Sequence, residues 1–158
     1  MSRPSRIYDE SAPHSEYDKS STMFIMCRAE HSVDGMERHP HISLQLLFDK
    51  KSPHNRKWYL SSTEPQTIEC GNIHTIILAL WIFHKRLMSP SIRRVVLVTE
   101  SAYVPHVMQN WIWIWVANGM KDSLGQPIAY GEAFWNLHNL MWSFEEKGIA
   151  IQLWQYRP

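Results

Sequence analysis

Arg94-Val95-Val96-Leu97-Val98-Thr99-Glu100-Ser101-Ala102-Tyr103-Val104 is the stretch on which the fold of this chain turns. The apolar run Val95 to Val98, rich in β-branched residues, has the pattern of a strand buried on both faces near the centre of a sheet. The carboxyl end of such a strand is where open sheets place functional groups, and Glu100 stands there. Downstream lies a tryptophan-rich block, Trp111-Ile112-Trp113-Ile114-Trp115, followed by Asn118-Gly119, Pro127 and Phe134-Trp135. Alternation of Trp and Ile favours a strand on propensity. The spacing of four between Trp111 and Trp115 lets them share one face of a helix, and Val116-Ala117-Asn118-Gly119 reads as a helix stop.

Upstream of the central strand, Met23 to Cys27, Ile42 to Phe48 and Lys57 to Ser61 read as three short strands. The segments joining them carry turn chemistry, with Asp34-Gly35, His39-Pro40-His41 and Pro53, so an antiparallel meander is expected. From Asn72 to Phe83 the apolar residues Ile73, Ile76, Ile77, Leu80 and Trp81 fall at i, i+3, i+4, i+7 and i+8, one face of a helix. Pro90 lies in the segment that ends it. Glu132 to Glu145 carries Phe134, Leu137, Leu140, Met141 and Phe144 at helical spacing; Gly148 closes it, and Ile149 to Trp154 makes a last strand. Residues 1–22 are rich in Ser, Pro and charge without an apolar face, so they are expected to be a disordered tail, leaving residues 23–158 as one domain.

The chain has 158 residues, 44% of them hydrophobic, enough for one domain with a substantial core. The formal charge of +1 supplies no strong field of the kind that grips a nucleic-acid backbone. Two cysteines, Cys27 and Cys70, without a C-x-x-C pair, read as buried free thiols in a reducing compartment. There is no apolar run at the amino terminus of the sort a secretory signal needs, and no stretch of roughly 18 apolar residues that would span a membrane. The expectation is a soluble intracellular protein with no membrane partner.

In order and spacing, Thr99 to Val104, the tryptophan block, Asn118-Gly119, Pro127 and Phe134-Trp135 resemble the central portion of a type 1 ribonuclease H, and fungal-type members in particular. In that family a strand ends in T-D-S-x-Y-V and is followed by W-(x)3-W-(x)3-G-W, a P-V-K-N turn and D-L-W. The resemblance covers about Met23 to Pro158 and implies an α/β, three-layer ribonuclease H-like fold. Its five-stranded mixed sheet would have order 3-2-1-4-5, flanked by helices, with a helix across Trp111 to Trp115. It also implies that the domain is shortened at its carboxyl end.

The chemistry the resemblance implies is hydrolysis of RNA:DNA hybrids by four carboxylates that hold two Mg²⁺ (or Mn²⁺) ions. Hard cations need oxygen ligands, so each position can be checked. Glu100 stands at the strand-four aspartate and is one methylene longer. The first-strand acid aligns with Cys27, followed by Arg28, and a thiol is a poor Mg²⁺ ligand. The helix motif N-R-A-E-L-x-A aligns with Glu69 to Thr75 and places Asn72 at the glutamate. The fourth carboxylate of the family lies beyond the last strand, in a segment absent here. Glu69, Glu30 and Asp34 are the acids that a shifted register would bring towards Glu100.

Substrate-gripping positions implied by the resemblance differ as well. Trp113 and Ala117 occupy sites where arginine is common, Met120 replaces the corner tryptophan, and Ala129-Tyr130 replaces the K-N pair. Lys121, Trp113 and Tyr130 are the remaining candidates for nucleic-acid contact, and Trp113, expected to face away from the Trp111 and Trp115 stripe, would suit a protein partner. His39-Pro40-His41 lacks partners at zinc spacing. His106 is a candidate proton relay or an exposed helix residue, and Ser101 reads as a turn or helix cap. Three functional readings stay open: a degenerate ribonuclease H-like protein that has lost its metals and its cleavage; a Mg²⁺- or Mn²⁺-dependent hybrid nuclease using Glu100 with recruited acids; and a protein-interaction or weak nucleic-acid-binding module.

Overall fold

A computed structural model describes residues 2–9, 19–32 and 41–157. Five strands, β1 (Thr22–Ser32), β2 (His41–Leu47), β3 (Arg56–Tyr59), β4 (Arg94–Thr99) and β5 (Ala150–Gln155), form one sheet in the order β3-β2-β1-β4-β5. β1 to β3 pair antiparallel as a meander, whereas β4 lies parallel to β1 and to β5. This is the mixed sheet and strand order that the resemblance to ribonuclease H implies. β1 runs further than its apolar portion because Arg28 to Ser32 continue the ladder with β2. The Asp34-Gly35 loop, His39 and Pro40 lie outside the described residues.

Helix α1 (Ile68–Ile82) starts one turn earlier than its apolar stripe, because the Thr67 side chain accepts the Cys70 N–H at 3.2 Å and caps it. It ends in a π-helical turn, Phe83–Leu87, before Pro90. After β4 come α2 (Tyr103–His106), a π-helical turn at Val107–Trp111, and α3 (Ile112–Ala117), so the tryptophan block is helical despite its β propensity. Helix α4 (Gly131–Glu145) follows. Ile25 and Cys27 of β1, Val95 and Leu97 of β4, and Ile151 and Leu153 of β5 share one core with Ile73, Ile76 and Leu80 of α1 and Phe134, Leu137 and Met141 of α4. The period of two along each strand puts all six strand residues on one face. At Gly71 the helix comes so near the sheet that a Cβ would stand 2.7 Å from Ile42 Cγ2 and 2.8 Å from Ala29 Cβ. Among the described residues, no helix is long and apolar enough to cross a membrane.

The expectation of a structureless segment over residues 1–22 fails for residues 2–9 and for residues 19–22, which form a 3-10 turn and the start of β1; residues 1 and 10–18 lie outside the described residues. Ile7 bridges in parallel to Leu153, with Tyr8 N–H donating to Leu153 O and Leu153 N–H donating to Arg6 O. The segment thus lies along the outer edge of β5. Tyr8 packs on Phe24 and Trp154, ring centroids 5.6 and 5.2 Å away. Arg6 is fully buried and grips Glu145 through two bonds, Nη2 to Oε1 at 2.7 Å and Nε to Oε2 at 3.1 Å. Its Nη1 donates to His138 Nδ1 at 3.0 Å, and its guanidinium carbon stands 4.4 Å from the centroid of a Trp113 ring. What orders this polar stretch is one buried cation and an acid 139 positions away, which no local count of apolar residues can register.

Candidate functional site

The carboxyl end of β4 is the place to which fold and sequence both direct attention. Cys27 pairs with Thr99 in the parallel β1–β4 register, the last pair of that ladder. Arg28 follows Cys27 and Glu100 follows Thr99, and these two side chains meet: Arg28 Nε lies 2.9 Å from Glu100 Oε1. Arg28 Nη2 is also 4.0 Å from Glu30 Oε2. The pair borders a cleft of about 300 Å³ whose walls include Met26, Thr99 and Tyr156. The residue of β1 beside Glu100 is therefore a cation, one position past the thiol that the sequence alignment places there.

Cys27 points the other way, into the core. It is fully buried, its thiol donates to Ile25 O at 3.7 Å, and burial pushes its pKa far above the usual thiol range. A thiol in this setting stays protonated and donates no charge to a cation. Asn72 is buried on α1 and offers an amide where a metal site would want a carboxylate. From α1 it is Glu69, one turn nearer the helix start, that reaches the end of β4. Both of its carboxylate oxygens lie 3.2 Å from Ser101 Oγ. Ser101 Oγ also accepts the Val104 N–H at 3.1 Å, so Ser101 serves as a cap, as its position suggests. Burial, together with the charge of Glu69, holds the Tyr103 phenol above its ordinary pKa.

These donors do not fit a pair of Mg²⁺ ions. Mg²⁺ demands near-octahedral oxygen ligation at about 2.0–2.1 Å. Here Glu100, the acid on the strand itself, already has a guanidinium as counter-ion, Glu69 is taken up by Ser101, and the aligned neighbours are a protonated thiol and an amide. Among the described residues, no group of three His, Cys, Asp or Glu side chains that includes Glu100 comes within reach of one ion. Asp34 lies outside the described residues.

The other candidates are dispersed. Lys121 is exposed in the loop before α4, where it bridges to Pro127. Tyr130 has φ +58° at the entry to α4, and its hydroxyl lies 2.7 Å from Thr67 Oγ1. It ties the loop to the cap of α1. Trp113 does face away from the Trp115 side of its helix, but it is covered: it packs edge-on to His138 and Trp142 and lies under Arg6 and Arg3. The expectation of an exposed aromatic there is corrected, because the amino-terminal segment fills the space. His106 is exposed and packs on Trp111, and both cysteines are free and buried, as expected. The Arg28–Glu100 pairing was within reach of the sequence, since placing Arg28 level with Glu100 requires only the parallel register to be set one residue later.

No family model matches the sequence, and no curated protein does. Solved structures do. The foamy viral protease-reverse transcriptase in complex with dsDNA superposes with a TM-score of 0.59 at 15% identity, covering 88% of this chain and 81% of that one. The PFV RNase H domain in solution gives 0.53 at 16% identity, covering 85% and 78%. The foamy viral protease-reverse transcriptase in complex with an RNA/DNA hybrid gives 0.57 at 14% identity, covering 94% of this chain and 20% of that one. Taken with the strand order 3-2-1-4-5 and the helices that cover the sheet, these likenesses show that the chain has the ribonuclease H-like fold.

Proposed function

We propose that this chain is a ribonuclease H-like domain, related to RNA:DNA hybrid endoribonucleases, that does not cleave. The observation that carries this reading is the 2.9 Å contact between Arg28 and Glu100. Two-metal hydrolysis needs carboxylates converging on divalent cations, and here a resident guanidinium neutralises the acid at the strand end. Fold by itself does not fix function, and the site supports retention of the scaffold without its metals. With Lys121 isolated, contact with a hybrid is weak and salt-sensitive.

The test is a labelled RNA:DNA hybrid incubated with purified protein and Mg²⁺ or Mn²⁺, beside Glu100→Ala. No cleavage by either protein is expected. Cleavage by the wild type that disappears in Glu100→Ala overturns the proposal. One observation favours a second reading, an active nuclease: Glu69 reaches Ser101, next to Glu100, so two acids flank the end of β4. In that case Glu69→Gln also abolishes cleavage. Binding of uncleaved hybrid, measured by fluorescence anisotropy and weakening with added salt, supports a residual nucleic-acid-binding role; absence of binding directs attention to a protein partner.

A further inference from the structure

Away from the end of β4, Glu64, Cys70 and His74 bring a carboxylate, a thiol and an imidazole to one point. Glu64 lies in the loop between β3 and α1, while Cys70 and His74 stand four apart on α1 and so share one of its faces. Glu64 Oε2 is 3.6 Å from His74 Nε2 and 4.0 Å from Cys70 Sγ, and the three ligand atoms all lie within 4.8 Å of one another. A tetrahedral ion with bonds of about 2.0 Å to N and O and about 2.3 Å to S sets its ligand atoms roughly 3.3–3.6 Å apart. The Glu64–His74 and Glu64–Cys70 separations therefore need to close by about half an ångström or less, and the Cys70–His74 separation by at most about 1.3 Å.

A second observation points to the same place. His74 Nε2 is buried from solvent and has no hydrogen-bond partner. Buried polar atoms are nearly always satisfied, and one that is not calls for an explanation such as an absent ion. The cluster also opens onto a groove of about 380 Å³ lined by Trp58, Leu60, Ile77 and Trp81, which leaves an approach from outside.

We propose that Glu64, Cys70 and His74 form a Zn²⁺ site, with water as the fourth ligand. The ligand types choose the ion: thiolate and imidazole suit zinc, and neither suits Mg²⁺ or Ca²⁺. Three protein ligands with one open position is the arrangement of zinc sites that keep an exchangeable water. Binding replaces the thiol proton by the metal, and that proton passes to solvent. The ion joins the β3–α1 loop to the helix face behind it. The site shares no residue with the end of β4, so it stands or falls apart from the absence of cleavage there.

The test uses the full chain, stripped with chelator and dialysed against Zn²⁺, or against Co²⁺ as a spectroscopic probe. One equivalent of zinc per chain is expected. The cobalt form is expected to show the intense visible bands of a tetrahedral ion and a near-ultraviolet thiolate-to-cobalt band. Cys70→Ser removes the thiolate band, Cys27→Ser keeps it, and His74→Gln lowers zinc affinity by about a hundredfold. Because Cys70 is fully buried, His74→Gln, at a partly exposed side chain, serves as the variant whose fold is checked by circular dichroism. Uptake well below one equivalent overturns the proposal, and so does a thiolate band that persists in Cys70→Ser or a zinc affinity unchanged in folded His74→Gln.

Discussion

Arg28 and Glu100 lie side by side at the ends of two parallel strands, Nε to Oε1 at 2.9 Å, with side chains 45% and 40% exposed. Exposure limits what the contact contributes, since solvent-screened pairs are worth about 0–1 kcal/mol. Arg28→Ala is expected to change unfolding stability by less than about 1 kcal/mol in urea titration. Arg28→Asp sets two carboxylates together, and Mg²⁺ is then expected to raise the melting temperature of the variant but not of the wild type. A wild-type protein stabilised by Mg²⁺ as strongly as the variant would contradict the counter-ion role given to Arg28.

Arg6 presents the opposite situation. Its side chain is 0% exposed and that of Glu145 only 5%, so removing one partner strands the other in the core. Arg6→Ala is expected to cost about 3–5 kcal/mol, with Trp113 fluorescence shifting to the red as its cover is lost. Substituting both members, Arg6→Met with Glu145→Leu, is expected to recover much of that loss, because the desolvation penalty goes with the charges. Denaturant titration of the three proteins decides it; equal stabilities for the single and double variants would argue against a stranded charge.

His138 is expected to make the fold sensitive to acid. Burial, and then the neighbouring charge of Arg6, lowers its pKa from 6.5 to about 4. Arg6 donates to Nδ1, so the neutral ring is the form that fits. A histidine whose folded pKa is depressed binds fewer protons folded than unfolded, so stability falls as pH drops from about 6.5 and the loss is complete near pH 4. The full shift corresponds to about 3 kcal/mol. His138→Gln is expected to flatten stability against pH across that window, measured by urea midpoints at fixed pH values. An unchanged slope would assign the acid sensitivity to other groups.

Gly71→Ala sets two effects against each other. Alanine favours a helix interior by about 1 kcal/mol, but its Cβ would press against Ile42 and Ala29, at 2.7 and 2.8 Å. Ala29 has no flexible side chain to swing aside, and overpacking typically costs about 1–3 kcal/mol. Net destabilisation is expected, seen as a lower denaturant midpoint; a higher midpoint would mean that helix and sheet separate more easily than their contact suggests.

The parts of the fold that were legible in the sequence are those whose cause is local. Val95 to Val98 read as a buried strand and the stripe from Ile73 to Trp81 as a helix facing a sheet, so the order of elements follows from pattern, whereas the mixed sheet of order 3-2-1-4-5 follows from the resemblance to ribonuclease H. Residues that act through distant partners were not legible. Trp113 looks exposed until Arg6 is placed over it, and Arg6 looks like tail composition until Glu145 is placed beneath it. At the site, the strand pattern identifies Glu100, but aligning letters points to Cys27 and does not fix which residue of β1 lies level with Glu100; the register puts Arg28 there. The cluster of Glu64, Cys70 and His74 is not legible in the sequence because Glu64 reaches the helix face only through the path of a loop.

The amino-terminal segment has a consequence for the order in which the chain assembles. Arg6 precedes its anchors, Glu145 and Leu153, by 139 and 147 positions. Contacts between residues so far apart in sequence close only after the loop entropy between them has been offset by other structure. The segment around Ile7 is therefore expected to dock late in folding, after the β5 edge and α4 that receive it have formed.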